Sequence, residues 1–455
     1  MKKNLLLLAF ILVGWLGCKP DETVLPEDED INLGGETSVS GAYINIFQQP
    51  AANLNAAEAD LHRHSDRAFG DIFVTAPSIT HSGLGPVFNQ NSCESCHIAN
   101  GKSPFPNNNT ELRGLLLRIS MPGVGMYGAP NPVPHFGGQL QTKAVFGKPA
   151  EATLTWQEVT EIKTYLDGES VALRRLDFGV ANAYADFPND ALMSPRIAPA
   201  VIGLGLLEAI SESDILALAD PNDADADGIS GKPNWVWDYA KQQTALGRFG
   251  WKAGQPTLLQ QTAAAYNNDM GITSPYFPQE SCYGQTQADP LADDPEIDEN
   301  TLKMATFYPQ SLAVPQRRNW DDAEVINGKA LFIALKCASC HNPKFVTGAS
   351  HEYAFLNNQT IFPYTDLLLH DMGEGLADNR PDFEATGSEW RTPPLWGIGL
   401  TQIVGGHSHF LHDGRARSLE EAIMWHGGEA EASREAFGKL SKAERNAVIK
   451  FLESL

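Results

Sequence analysis

The chain has few basic residues relative to its acidic ones. It carries 33 lysines and arginines against 56 aspartates and glutamates, which gives a formal net charge of -23. A surface this acidic repels nucleic acid and anionic lipid, so binding to a phosphate backbone is not expected as the main function. The same charge suits a basic protein partner.

Long apolar runs are also missing. The longest, residues 5–16, is too short to cross a bilayer, follows two lysines and ends just before Cys18. This arrangement is typical of a lipoprotein signal peptide over residues 1–18, with Cys18 as the lipidated first residue of the mature chain. The alternative is an ordinary secretory signal with an incidental cysteine. Both predict export, and the first predicts a membrane-anchored lipoprotein in the periplasm or at the cell surface.

The segment after Cys18 is charged and contains little apolar material. Residues 19–40 therefore predict an acidic flexible tether between the lipid and the folded protein. The membrane would be reached through the lipid anchor only.

Only six cysteines occur, and four of them belong to two Cys-x-x-Cys-His motifs, at residues 93–97 and 337–341. The other two, Cys18 and Cys282, leave no obvious disulfide pair. A zinc site would need a fourth ligand near each motif, and a thioredoxin-like site would need a βαβ context. Neither requirement is met.

The spacing of these motifs fits covalent haem. Two cysteines three positions apart lie on one face of a helical turn, where their sulfurs can bond the two vinyl groups of one porphyrin. The adjoining histidine can then ligate the iron. The sequence therefore predicts two haem c groups, attached through Cys93, Cys96 and His97 and through Cys337, Cys340 and His341.

The expected fold is mainly α. No alternating apolar pattern is strong enough to predict a major sheet, while capping boxes begin at Ser418 and Ser441. Because the two motifs are far apart, we expect two cytochrome c-like haem domains with long loops. The N-terminal one covers residues 41–315 and the C-terminal one residues 316–455.

An acidic loop in the N-terminal domain resembles the start of a calcium-binding loop. Asp223, Asp225 and Asp227 alternate before Gly228, which permits a sharp turn. The twelfth loop position is Asn234 rather than glutamate, which excludes a full EF-hand. The two remaining interpretations are a calcium site and a solvated acidic turn.

Two segments of the second half resemble the di-haem oxidoreductase family. Residues 391–397 read RTPPLWG and residues 410–422 read FLHDGRARSLEEA. Residues 85–89 and 247–255 are also similar to family segments, so the resemblance covers nearly everything after residue 40. This family is related to bacterial di-haem cytochrome c peroxidases and to MauG, the methylamine-utilisation di-haem enzyme.

The resemblance implies a peroxidase-like oxidoreductase. Electrons from a redox protein would enter at the C-terminal haem and pass to a reactive N-terminal haem, where a small substrate such as hydrogen peroxide is reduced. Trp251 is a candidate for assisting this transfer, as a tryptophan does in the relatives. The alternatives are a non-catalytic electron-transfer cytochrome and an oxygen-activating di-haem oxidase.

The resemblance also implies a second axial ligand for the C-terminal haem. In the relatives it lies on the helix after the His-Asp-Gly segment, and the matching position here is His426. Met424 and Met372 are the rival ligands. A His/His haem has a lower potential than a His/Met haem, which weakens the case for a peroxidase.

The distal side of the N-terminal haem has several candidates. The histidines are His62, His64, His81 and His135. Glu208 lies in an apolar segment, so we expect its pKa to be raised and consider it as the catalytic acid–base residue. The alternative for Glu208 is a buried carboxylate paired with an arginine.

Overall fold

The computed structural model of the chain describes residues 29–108, 111–291 and 293–455. The predicted signal peptide, Cys18 and the first part of the predicted tether lie outside these residues. Within the described ranges, no helix is long and apolar enough to cross a membrane.

The fold mixes helices and strands, with about 29% helix and 19% strand, so the prediction of a mainly α fold is wrong. The α-helices of the described part are α1 (Ala56–Gly70), α2 (Leu204–Ala209), α3 (Glu212–Leu216), α4 (Leu258–Met270), α5 (Glu299–Gln310), α6 (Ala323–Ala334), α7 (Thr401–Gly405), α8 (Leu419–Trp425), α9 (Glu431–Lys439) and α10 (Lys442–Ser454). Short 3₁₀ helices connect several of them.

The strands form small antiparallel sheets rather than one large sheet. They are β1 (Val87–Phe88), β2 (Leu115–Val124), β3 (Pro130–Asn131), β4 (Lys143–Ala144), β5 (Thr153–Thr164), β6 (Ser170–Ala181), β7 (Leu192–Ile197), β8 (Trp235–Asp238), β9 (Gln243–Leu246), β10 (Phe345–Val346), β11 (Thr360–Ile361), β12 (Leu369–Asp371) and β13 (Glu389–Arg391). The three-stranded sheet has the order β3-β2-β7, and the long hairpin pairs β5 with β6.

The missed strands have a physical explanation. Several are only two residues long, which is too short to display alternation. In β5, Leu154 and Trp156 alternate, but the next apolar residues, Val159 and Ile162, break the period of two. Strand pairing here depends on partners across the hairpin and not on one apolar face.

Strand β2 separates the core from the interior cavity described below. Leu115, Leu117 and Ile119 are buried in a core cluster on one face. Leu116 and Arg118, which alternate with them, line the cavity on the other face. The period-two geometry of a strand therefore places a cation on the cavity wall.

The two halves of the chain share their largest apolar core. Phe47 and Ile202 from the first half belong to the same buried cluster as Phe332 and Trp396 from the second. The two haem motifs therefore lie in parts of the chain that are joined by continuous packing.

The described end of the predicted tether is packed against the C-terminal half. Asp30 and Leu33 are fully buried. The Asp30 carboxylate forms ion pairs with Arg317 and Lys329 and accepts a hydrogen bond from the Tyr364 hydroxyl. A buried carboxylate needs such partners, so this stretch is part of the folded body.

Helices α6 and α10 cross at Gly328. A Cβ added at Gly328 would lie 1.9 Å from the Ala447 carbonyl oxygen and 2.9 Å from the Phe451 Cβ. The close approach requires a residue without a side chain.

We expect Gly328→Ala to lower the free energy of unfolding by about 1–3 kcal/mol, measured by denaturant unfolding. The clash outweighs the gain in helix propensity, which is about 1 kcal/mol. Gly138→Ala is the matched control, because a Cβ there meets nothing within 4 Å. A Gly328→Ala protein as stable as the wild type would contradict the proposed close packing.

Candidate haem site

Both Cys-x-x-Cys-His motifs adopt the helical turn that their spacing predicts. The amide of His97 donates to the Cys93 carbonyl, and the amide of His341 donates to the Cys337 carbonyl, both at 3.0 Å. The two cysteines of each motif therefore lie on one side of a turn.

The cysteine thiols are not poised as thiolates. Burial, reinforced by the nearby Asp269 carboxylate, raises the pKa of the Cys93 thiol to about 12. Burial also raises the pKa of Cys337 to about 12. Among the described residues, neither motif brings together three or more Cys, His, Asp or Glu ligand atoms, so a zinc site is not supported there.

Each motif histidine is oriented by a hydrogen bond to a backbone carbonyl. His97 Nδ1 lies 2.8 Å from the Pro199 oxygen, and His341 Nδ1 lies 2.9 Å from the Tyr364 oxygen. A carbonyl can only accept, so each Nδ1 carries the proton and each Nε2 keeps its lone pair. Such a neutral imidazole with a fixed tautomer is a good iron ligand.

The two motifs open onto one continuous cavity of about 510 Å³. Its wall includes Cys93, Cys96, His97, Cys337, Cys340 and His341. Most of the remaining wall is apolar, with a few charged and amide side chains, as expected for a site that binds a large flat cofactor.

The cavity wall also contains His426, at the C-terminal end of α8. Its Nδ1 lies 2.8 Å from the Ala422 carbonyl oxygen, so this imidazole has the same fixed tautomer as the motif histidines. The pKa of His341 is lowered to about 4, mainly by burial and in part by the proximity of His426. The structure therefore brings His341 and His426 close together.

The rival methionines differ in position. Met372 lines the cavity, whereas Met424 is buried in the apolar core and is not part of the cavity wall. On this geometry His426 and Met372 can reach a bound cofactor and Met424 cannot.

A buried imidazolium lies beside the C-terminal motif. His370 Nδ1 is 2.7 Å from a Glu429 oxygen, and its Nε2 is 2.7 Å from an Asp366 oxygen. Both ring nitrogens must carry a proton to bond two carboxylates. Burial disfavours the resulting positive charge, but the two carboxylates outweigh burial and hold the pKa of His370 well above its usual value. Since Nδ1 is 3.5 Å from the Cys340 sulfur, this cation lies next to the second cysteine of the motif.

The N-terminal motif has a different polar neighbour, the carboxyl of Asp269. Burial raises its pKa to about 6, although a hydrogen bond from Gln139 and the charge of Arg118 oppose the rise. Gln139 Nε2 donates to Asp269 Oδ1 at 2.8 Å, and Arg118 Nη1 donates to Gln139 Oε1 at 3.2 Å. All three side chains line the cavity.

Sequence reasoning missed Asp269, Gln139 and Arg118. Asp269 follows two asparagines near the end of α4 and looks like an ordinary surface residue in sequence. Gln139 and Asp269 are 130 positions apart in the sequence, and Arg118 and Gln139 are 21 apart, so the network becomes visible only in the folded chain.

Glu208 is not placed as expected. Its carboxylate accepts hydrogen bonds from the Leu258 amide and from Gln310, at 2.8 and 2.6 Å, and lies 3.5 Å from His351 Nε2. Burial alone would raise its pKa, but these partners lower it, so the expected raised value is wrong. Glu208 does not line the cavity and acts as a structural hydrogen-bond acceptor.

None of the four candidate distal histidines lines the cavity. His62 is buried, with Nδ1 2.7 Å from the Ser311 hydroxyl and its ring against Tyr308. The other three, His64, His81 and His135, are exposed.

Trp251 does line the cavity. Its Nε1 donates to the Ile197 carbonyl at 2.9 Å, which fixes the ring. The Lys102 ammonium lies 5.0 Å from the ring centroid and donates to the Leu411 carbonyl. Burial lowers the pKa of Lys102 to about 7.

The acidic loop groups a different set of aspartates from the one predicted. Asp220, Asp223 and Asp225 bring carboxylate oxygens within 4.8 Å of one another. Asp227 is not in the group, and its Oδ1 accepts the Ile229 amide at 3.0 Å. The other unassigned residue, Cys282, is buried and its Sγ lies 3.4 Å from a Glu280 oxygen.

Two Cys-x-x-Cys-His motifs on one largely apolar cavity, with histidines held as neutral imidazoles, fit a haem-dependent redox protein. Residues 29–455 match the family described as Di-haem oxidoreductase, putative peroxidase. The chain belongs to this family, which confirms the resemblance seen in its sequence and indicates haem as its cofactor. A comparison with curated proteins found no match.

The interaction between Glu429 and His370 predicts a pH-dependent stability. Burial favours the neutral form of Glu429, but hydrogen bonds from His370 and Ser230 lower its pKa from 4.5 to about 2. A carboxylate whose pKa is lower in the folded than in the unfolded state stabilises the fold at pH values above its unfolded pKa. This contribution is lost as the pH falls through its folded pKa.

We therefore expect Glu429→Gln to be less stable than the wild type above about pH 4.5. The difference should shrink between pH 4.5 and pH 2, as measured by denaturant unfolding at several pH values. Glu161→Gln, at an exposed ion pair with Arg175, is the control and should change stability little. A difference that stays constant down to pH 2 would count against the interaction.

Proposed function

We propose that the chain is a peroxidase-type oxidoreductase with two covalent haem c groups. The proposed attachment residues are Cys93, Cys96, Cys337 and Cys340, and the proposed iron ligands are His97, His341 and His426. The observation that carries the proposal is the set of three histidines whose Nδ1 is bonded to a carbonyl on the wall of one shared cavity. Bound haem supplies one-electron redox chemistry at its iron.

The C-terminal site is proposed to be closed by two imidazoles. His341 and His426 line the same part of the cavity, and each has its Nε2 free for a ligand bond. Two histidine ligands leave no position for a substrate, which suits a site that accepts electrons from an external redox protein.

The N-terminal site is proposed to be the reactive one. Of the histidines discussed, only His97 lies at this site. The site also contains the Gln139 amide and the Asp269 carboxyl, and the carboxyl can donate and accept protons. Reduction of hydrogen peroxide consumes two electrons and two protons and forms two water molecules. Electrons would arrive singly by way of the C-terminal site.

Asp269 is the proposed proton donor. Gln139 bonds Oδ1, so the proton is carried on Oδ2. The carboxyl can give this proton to the leaving oxygen while the O–O bond breaks, and it can take a new proton afterwards. Arg118 fixes Gln139 and thereby the orientation of the acid.

The proposed setting of the enzyme follows from the rest of the chain. Export as a lipoprotein rests on residues 1–18 with lipidation at Cys18, and a basic electron donor is proposed from the net charge of -23. A calcium ion is proposed at Asp220, Asp223 and Asp225, whose oxygens are hard ligands.

A non-catalytic electron-transfer cytochrome is the second candidate, favoured by the closeness of His341 and His426. Optical and EPR spectra of the holoprotein distinguish the two. One low-spin, ligand-inert iron and one iron that responds to peroxide or cyanide would support the enzyme. Two low-spin, inert irons would overturn it.

We expect His426→Ala to convert the inert iron into one that binds exogenous ligands, because it removes one of the two proposed imidazoles. The spectrum of the other iron should not change. Met424→Leu is the matched control, since Met424 lies on the same helix but outside the cavity wall. An unchanged spectrum in His426→Ala would rule out this ligand.

We expect Asp269→Asn to lower kcat for peroxide reduction by about 10²–10⁴-fold, because the amide cannot supply the proton. In the wild type, kcat should fall as the pH rises through about 6, where the carboxyl loses its proton. Steady-state kinetics from pH 5 to 8 test both statements. Asp177→Asn, at an exposed carboxylate, is the control, and a pH profile left intact in Asp269→Asn would exclude the role.

A further inference from the structure

Two arginines stand side by side on the cavity wall. In the β2–β7 pairing, Leu116 lies opposite Arg196, and Arg118 is two residues further along the same face of β2. Diagonal neighbours on one sheet face are within reach of long side chains. Arg118 and Arg196 therefore present two guanidinium groups to the same region of the cavity, where they both form part of the wall.

The surrounding charges leave this region positive. Arg196 forms an ion pair with Asp382 at 3.1 Å, which Arg380 shares at 3.4 Å, while Lys252 binds Asp378 at 2.9 Å. The additional carboxylate that acts on Arg118 is Asp269. Four cations thus face the carboxylates of Asp382 and Asp378 and the carboxyl of Asp269, and a buried net charge is costly unless an anion compensates it.

Each arginine also has a buried donor without an acceptor. Arg118 Nε and Arg196 Nη2 are shielded from solvent and have no hydrogen-bond partner in the protein. Buried donors are satisfied in the great majority of cases, so two unpartnered donors on neighbouring guanidinium groups indicate a ligand with several acceptor oxygens. A carboxylate has the charge and the planar geometry that an arginine binds best.

We propose that Arg118 and Arg196 form a carboxylate-binding site that holds a propionate of the haem attached at Cys93 and Cys96. This inference rests on the proposed function in so far as that function places haem at the first motif. It goes further, because it assigns the cofactor's orientation: the porphyrin's carboxylate edge faces strands β2 and β7.

The position of the arginines relative to the cysteines agrees with this orientation. In haem, the two carboxylates lie on the edge opposite the two vinyl groups. Arg118 is separated from the Asp269 carboxyl, which lies near Cys93, by the Gln139 side chain that hydrogen-bonds to both.

Reduction potentials of the two haems in the holoprotein test the proposal. Arg118→Gln and Arg196→Gln should each shift the potential of the N-terminal haem to lower values, because they remove a positive charge that stabilises the reduced form. The C-terminal haem should shift less. Arg175→Gln, at an exposed ion pair with Asp177, is the matched control and should leave both potentials unchanged.

A second readout keeps the proposal testable if the glutamine variants do not mature. Arg118→Lys keeps the charge but loses the planar pair of donors. The propionate bending band in the resonance Raman spectrum should therefore shift in this variant. An unshifted band, or unchanged potentials in glutamine variants that carry two haems, would overturn the proposal.

Measuring the potentials with and without sodium acetate distinguishes a site filled by a haem propionate from a site that binds a free carboxylate. A site filled by a propionate should make the wild-type potentials insensitive to acetate. An acetate-dependent change that is lost in Arg118→Gln would instead assign the arginines to a free carboxylate and overturn the propionate site. A purified chain without covalent haem would overturn the proposed function itself, so failure of the proposed function can be distinguished from failure of the propionate site.

Discussion

The arrangement of the cavity depends on one repeated interaction, a hydrogen bond from histidine Nδ1 to a backbone carbonyl. His97 makes it with Pro199, 102 residues away, His341 with Tyr364, and His426 with a residue of its own helix. Because a carbonyl cannot donate, the bond fixes both the tautomer and the direction of Nε2. The geometry of any bound iron is therefore set by backbone segments and not by the motifs alone.

One of these backbone segments is held from the far end of the chain. The Tyr364 hydroxyl donates to Asp30, which is fully buried between Arg317 and Lys329. The carbonyl of the same tyrosine accepts the proton of His341. The stretch that composition assigns to a tether thus supports one of the motif histidines, and its Asp30 supplies a buried counter-ion.

Features encoded locally could be predicted from the sequence. The turn of each Cys-x-x-Cys-His motif spans five residues, and the caps at Ser418 and Ser441 depend on residues three positions away. Glu208 could not be judged in this way, since its acceptor bonds go to residues 50 and 102 positions distant. Some strands were missed for a related reason, because the two-residue strands are defined only by their partners, and the long strand β5 is paired across its hairpin without a regular apolar alternation.

The two ends of the shared cavity differ in charge, and this difference can divide their roles. Beside Cys340, the His370 imidazolium is fixed by two carboxylates at 2.7 Å, so it has no proton free to give to a substrate. Beside Cys93, Asp269 has one oxygen bonded to Gln139, and burial brings its pKa to about 6. Electrostatic effects are strong in an apolar cavity, so two motifs of the same Cys-x-x-Cys-His pattern can differ in chemistry, as proposed, because the charges around them differ.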